Sequence, residues 1–159
     1  MQWKIKIDNS FITHELIHFV IILKKKQGLK VINNEIATQA IHEQYGGVVP
    51  ELASREHQRN IVPIVSHVIE SAGVKLTDID AIAYTRGPGL LGALLIGSSF
   101  AKSTALALCI PTIPIHHMKA HVLAHFIDNP RPEYPFICLT VSGCHTQLQK
   151  LNIATDMTI

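Results

Sequence analysis

A chain of 159 residues with 47% apolar and 16% charged side chains has enough nonpolar surface for one ordinary globular core and too little polarity for wholesale disorder. Its formal net charge of +2 falls short of the broad basic footprint of an autonomous nucleic-acid binder, although it permits contact with an anionic substrate. Three cysteines, Cys109, Cys138 and Cys144, match neither a disulfide framework nor a zinc-ribbon spacing and suit a reducing, cytoplasmic setting.

The pattern is least regular before residue 45. Lys4, Lys6, Asp8, His14, Glu15 and Lys24 to Lys26 interrupt every apolar stretch there before it reaches membrane-spanning length, so neither a signal peptide nor an anchor is expected. His18 to Leu23 and Leu29 to Thr38 are β-capable, and Lys24-Lys25-Lys26-Gln27-Gly28 between them predicts a hairpin turn. That lysine run reads as a solvated turn rather than a phosphate site. Tyr45-Gly46-Gly47-Val48-Val49-Pro50 leads into a helix from Glu51 to Ala72, where Pro63 is expected to cause a break or a new first turn. Glu51, Arg55, His57 and Arg59 give that helix a polar face, by itself the mark of a salt-bridged surface more than of catalysis.

From residue 74 the order becomes a regular alternation. Ile79 to Thr85 predicts a strand, Leu90 to Leu108 a long apolar helix, Thr112 to His116 a strand, His117 to Ile127 a helix and Phe136 to Val141 a strand. This is α/β patterning, in which binding turns gather at the carboxyl ends of strands. The long helix is expected to bury Leu94, Leu95, Phe100, Leu106 and Leu108, and its small residues Gly92, Gly97, Ser98 and Ser99 suggest close approach of a neighbouring element.

Two turns and one helix carry the chemistry. Thr85-Arg86-Gly87-Pro88-Gly89-Leu90-Leu91-Gly92 sets glycines around a proline directly before a helix, which suits either a tight connection or an anion at the helix start; it is neither a Walker loop nor a dinucleotide fingerprint. Val141-Ser142-Gly143-Cys144-His145-Thr146 combines hydroxyl, thiol and imidazole after a strand, yet it lacks the Gly-x-Ser-x-Gly order of a nucleophile elbow and an identifiable acid partner. A polar hairpin turn accounts for it equally well. In His116-His117-Met118-Lys119-Ala120-His121, residues 117 and 121 are spaced i, i+4 and share a helical face, so their imidazoles can converge on one ion. His125 stands two turns from His117, roughly 12 Å along a straight axis, too far to share that ion. Two ligands leave the site incomplete, with His116, His145 and Asp128 as internal candidates and a part of the protein outside this chain as the other source.

Taken in order, Tyr45-Gly46-Gly47-Val48-Val49-Pro50-Glu51-Leu52-Ala53-Ser54-Arg55, the Thr85 to Gly92 turn, His117-Met118-Lys119-Ala120-His121 and the Val141 to Thr146 turn resemble the tRNA threonylcarbamoyladenosine transferase family, formerly described as O-sialoglycoprotein endopeptidases or glycoproteases. The resemblance runs from about Leu29 to Leu151. It implies an actin-like ATPase lobe of the sugar-kinase, heat-shock-protein and actin superfamily, with a ribonuclease H-like mixed sheet flanked by helices. It further implies a chain about half the family's usual length: residues 1–28 form a divergent segment with a first strand, 29–151 the N-terminal lobe and 152–159 the start of a continuation, the C-terminal lobe being absent.

The same resemblance implies His117 and His121 as metal ligands, for iron or zinc, with an aspartate of the second lobe as the third. It implies Thr140, Val141, Ser142, Gly143 and Cys144 as substrate-binding residues, with Glu51, Arg55 and His145 in support of the site. In the intact family the reaction transfers threonylcarbamoyl from threonylcarbamoyl-adenylate to N6 of adenosine 37 in tRNA. The implied partners are tRNA, a paralogous non-catalytic subunit and a P-loop ATPase subunit in a homo- or heterodimeric assembly, with ATP or ADP in the complex and no membrane. Two departures stand out. The family's Ser-Gly-Gly-His is Ser142-Gly143-Cys144-His145 here, and its N-terminal Glu-Thr-Ser-Cys-Asp-Asp-Thr loop has no match in Asp8 to Glu15. The isolated chain is therefore expected to be inactive as a transferase. A non-catalytic structural or interaction protein built on one lobe is the alternative, and the historical metalloprotease reading lacks a nucleophile and base.

Overall fold

The computed structural model of the chain describes residues 16–25, 28–38, 45–127, 131–141, 146–153 and 156–158. The Asp8 to Glu15 segment, Asp128, and the Ser142 to His145 turn lie outside them. The first two strands, β1 (Leu16–Lys25) and β2 (Gly28–Thr38), pair antiparallel with Lys25 opposite Gly28, so the hairpin expected around the lysine run forms. β2 is fastened to the helix α1 (Pro50–Ala72) by a hydrogen bond from the Asn33 side-chain amide to the Ser71 hydroxyl and by His67 approaching Glu35 at 3.6 Å.

Pro50 opens α1 at a position that needs no N–H, and Gly73 closes it in the left-handed conformation with φ 65°, its N–H returning to the carbonyl of Glu70. Pro63 does not break the helix. The expected interruption is corrected by its location: Pro63 and Arg59, whose carbonyl loses its intrahelical donor, both face solvent, where water takes the vacated acceptor. Ala53, Ile61 and Val68 form the buried stripe of α1.

After a 3-10 turn at Leu76–Asp78 comes a parallel unit, β3 (Ile82–Gly87), α2 (Leu91–Leu108) and β4 (Thr112–His116), with Ile82 opposite Thr112 and Gly87 opposite His116. α2 packs on α1, β3 and β4. Its buried contacts are made by Ala101 and Ala105, whereas Leu95 is 62% and Leu106 80% exposed and Leu94, Phe100 and Leu108 are only half-buried. Burial of those five residues therefore needs correction. Leu95 and Leu106 share the exposed face that carries Ser99, Lys102 and Ser103, and the small side chains on the other side take the contact because they let the neighbouring backbone come close. A Cβ at Gly92 would overlap the Ser54 side chain on α1, while Gly97 has open space around it. By length and composition α2 could cross a bilayer, and among the described residues it is alone in that; here it sits between α1 and the parallel pair.

The last unit begins with α3 (His117–Ala124), shorter than the helix expected to Ile127, because residues 125–127 tighten into i to i−3 hydrogen bonds that end it. Then β5 (Phe136–Val141), β6 (Thr146–Ile153) and β7 (Asp156–Thr158) form an antiparallel meander. Its inner face meets α3 in a core of Val122, Cys138 and Leu151, with Tyr134 and Phe136 against it and Phe126 stacked on Tyr134 at 5.2 Å. The fold is α/β, with parallel and antiparallel pairing divided over three sheets and helices flanking them.

Candidate metal centre

α3 starts where β4 ends, with His116 as its extended N-cap residue, and this abrupt strand-to-helix change fixes the direction of the first helical turn. Met118, Ala120 and Val122 are buried, which locks the rotation of the helix and leaves His117 and His121 half-buried on another face. Their Nε2 atoms lie 3.3 Å apart, with ring centroids 4.6 Å apart and planes inclined at 68°. Two imidazole nitrogens each roughly 2.05 Å from a tetrahedral ion would stand roughly 3.3 Å from one another. The pair thus fits two corners of one coordination sphere without rearrangement. Burial holds His121 below the ordinary imidazole range, favouring the neutral ring that a metal ligand must be.

His125, the C-cap residue of α3, is exposed, and no group of three or more His, Cys, Asp or Glu side chains converges among the described residues. The His117–His121 pair is therefore joined by no third such side chain among them.

The carboxyl edge of the parallel pair brings a second feature to the same end of the fold. Gly87 is opposite His116, so the Gly87-Pro88-Gly89 turn lies beside the start of α3, and Gly87 and Gly89 have φ of 150° and 159°, which favour glycine. The Leu94 side chain packs against both glycines, and the first turn of α2 has no side-chain cap hydrogen bond. Spacing within either motif gave no sign of this neighbourhood; it follows only from the parallel register.

The other expected site residues are distributed differently. Thr140 is half-buried on the inner side of β5, and Val141 is exposed on the outer side, as strand alternation requires, so their side chains cannot line one pocket wall together. Val141 pairs with Thr146 where β5 and β6 meet, and the expected site residues Ser142, Gly143, Cys144 and His145 between them lie outside the described residues. Glu51 and Arg55 bind each other at 2.9 Å, both side chains 72% exposed, which is the salt-bridged surface of a polar helix face. His57 Nδ1 is 2.7 Å from the Ala53 carbonyl, and Arg59 reaches Glu56.

One residue not anticipated from sequence is Gln149. It is buried opposite Cys138, its amide N–H donates to Gln147 Oε1 at 3.0 Å, and its own Oε1 has no hydrogen-bond partner among the described residues. The signal was available in the alternation of Gln147, Leu148, Gln149, Lys150 and Leu151, which sets both glutamines on the same side of β6 as the core residue Leu151.

Comparison with known proteins places this sequence in a family. The family model described as tRNA N6-adenosine threonylcarbamoyltransferase matches residues 30–157. The chain is 56% identical over 125 residues to the tRNA N6-adenosine threonylcarbamoyltransferase of Christiangramia forsetii, covering 77% of this chain and 37% of that protein. It is 55% identical over 135 residues to the protein of the same name from Riemerella anatipestifer, covering 83% of this chain and 40% of that one. Among solved structures, YeaZ from Pseudomonas aeruginosa superposes with a TM-score of 0.46 at 20% identity, over 81% of this chain and 58% of that one. The chain spans about two fifths of the length of the curated relatives it matches. It belongs to the tRNA N6-adenosine threonylcarbamoyltransferase family, as an N-terminal portion of the longer family protein.

Proposed function

We propose that this chain supplies one half of a threonylcarbamoyl-transfer site and does not turn over by itself. The observation that carries the reading is the 3.3 Å approach of His117 Nε2 and His121 Nε2 on a helix whose rotation is fixed by buried neighbours. In this reading the two imidazoles hold a divalent iron or zinc ion, and an aspartate from the rest of the longer family protein completes its protein ligands. When bound, the ion supplies Lewis-acid polarisation of the donor carbonyl.

The remaining work belongs to this chain's own groups. Residues 142–145, the Thr140 side chain and the Val141 backbone orient the threonylcarbamoyl donor, backbone N–H groups near Gly143 stabilise negative charge developing on its carbonyl oxygen, and the N6 amine of adenosine 37 in tRNA displaces AMP. No covalent protein intermediate is required. Glu51, Arg55 and His145 support the site from its margin. ATP or ADP, a paralogous subunit and a P-loop ATPase subunit act in the assembled system, and the compartment is the cytoplasm. In domain terms, residues 29–151 contribute the first lobe, preceded by the divergent 1–28 segment and followed by the start of a continuation at 152–159.

The test is incubation of metal-loaded chain with threonylcarbamoyl-adenylate and unmodified tRNA, with modified adenosine detected by mass spectrometry. No product is expected from the chain alone; product is expected when the rest of a longer relative is co-expressed with it. Robust turnover by the isolated chain would overturn the half-site reading.

A further inference from the structure

Charge is distributed unevenly along the chain. The stretch from Ala81 to Ile127, which builds β3, α2, β4 and α3, holds none of the 12 aspartate and glutamate residues, yet it carries Arg86, Lys102, Lys119 and four histidines. The small net charge of the whole chain therefore conceals a unit whose ionised side chains are all of one sign. Lys102 is turned onto the Tyr84 ring, with Nζ 5.7 Å from its centroid. Arg86 and Lys119 are exposed, and neither side chain has an ion pair or a hydrogen bond among the described residues, whereas Arg55 and Arg59 on α1 are committed to Glu51 and Glu56.

The backbone brings the two free cations to the histidine pair. In the parallel register Thr85 is opposite Ile115 and Gly87 is opposite His116, so β3 takes two steps where β4 takes one, and Arg86 is the extra residue of a bulge. A bulged residue drops out of the ladder, and the local bend re-aims its side chain. This bulge falls at the carboxyl end of β3, one strand spacing of about 4.8 Å from His116, which caps α3 and directly precedes His117. Lys119 lies in the first turn of α3, between His117 and His121 in sequence. Arg86, exposed His116 and Lys119 are thus gathered at one end of the fold, with no carboxylate from β3, α2, β4 or α3 to neutralise them.

We propose that Arg86 and Lys119 are positioning residues for the polynucleotide substrate, holding backbone phosphates of the RNA so that its reacting adenine reaches the ion at His117 and His121. The inference rests on the half-site reading for the identity of that RNA. Two features select a polyanion over the small donor. Both cations are exposed, as suits a partner that passes over the surface, and they stand on different elements, so one strand with phosphates spaced along it can engage both. Contacts of this kind fix where the strand lies and carry no sequence information.

The test is binding of an unmodified tRNA transcript containing adenosine 37 to the full 159-residue chain, read by fluorescence anisotropy over a series of salt concentrations. Arg86→Gln and Lys119→Gln are the probing variants, Arg86→Lys is the conservative one, and Lys150→Gln on exposed β6 is the control. Each probing variant is expected to weaken binding about threefold to tenfold at low salt and to lower the slope of log affinity against log salt by about 0.7, the value for one lost single-strand phosphate contact. Arg86→Lys should keep the wild-type slope, and Lys150→Gln should keep both slope and affinity. No binding by the wild-type chain, an unchanged slope in Arg86→Gln, or an equal loss in Lys150→Gln would each overturn the proposal. So would binding of threonylcarbamoyl-adenylate that falls tenfold in Arg86→Gln while RNA binding stays constant, because the guanidinium would then belong to the donor. The two readings fail separately. Charge-sensitive RNA binding by a chain that takes up no metal ion sinks the half-site reading and leaves the two cations in their role, whereas ion uptake with RNA binding indifferent to both variants sinks this inference alone.

Discussion

The β3–α2–β4 unit and the α3–β5–β6–β7 unit are both rich in aliphatic side chains, yet they use them in opposite ways. In the first, the contacts of the long helix are made by Ala101, Ala105 and Gly92, and large leucines point to solvent. In the second, Val122 and Leu151 are completely buried, with aromatic rings closing the core around them. Close approach governs one region and volume filling the other. Apolarity alone therefore does not report burial; the size of the residue at the contact does.

The largest expected effect is in the second unit. Leu151→Ala should lower unfolding stability by about 2–5 kcal/mol, because it leaves a cavity in a fully enclosed site, whereas Leu106→Ala should change it by no more than about 0.5 kcal/mol. Urea denaturation of both variants checks the contrast, and equal losses would break it. Next comes the close contact in the first unit. Gly92→Val places a side chain where Ser54 already stands and should cost about 1–3 kcal/mol, while Gly97→Ala, in open space on the same helix, should be neutral or stabilising. Thermal melts of the pair separate crowding from helix propensity.

Smaller effects sharpen the picture. Cys109 ends α2 in the left-handed region at φ 54°, a conformation in which glycine has no Cβ penalty, so Cys109→Gly should raise stability by about 0.5–1 kcal/mol in the same melts. The smallest is a pH effect of known sign. Burial lowers the folded-state pKa of His121 below its ordinary 6.5, so the unfolded chain binds the proton more readily. Stability from this group is fully present above that ordinary value and is lost as pH falls from it through the lowered folded value. His121→Gln should flatten that slope in urea titrations between neutral and mildly acidic pH.

Much of this was legible in the sequence, for reasons that differ by element. The β-capable stretches around the lysine run, the strand at Thr112 to His116 and the strand at Phe136 to Val141 announce themselves by residue type and by turn residues at their ends. The i, i+4 spacing of His117 and His121 is a local property of a helix, so their convergence followed directly. What the pattern did not reveal depends on tertiary context. Pro63 stays inside α1 because it and Arg59, whose carbonyl it leaves without a donor, lie on the exposed side of the helix, a fact set by tertiary context. Likewise, the approach of the Gly87 turn to His116 follows from strand register between segments almost thirty residues apart. By contrast, the exposure of Leu95 and Leu106 was signalled by Ser99, Lys102 and Ser103 on the same helical face, a polar stripe overshadowed in the sequence by the high apolar content of the helix.

The central claim is that His117 and His121 act together as two ligands of one ion. Cobalt(II) titration of the tag-free chain, followed by its visible absorption, tests it most directly when repeated for His117→Ala, His121→Ala and His125→Ala. The predicted result is one bound ion per chain, lost on replacing either His117 or His121 and unchanged on replacing His125, which stands two turns from His117 at the end of α3. Binding that survives both single replacements at His117 and His121, or that disappears with His125, would contradict the account.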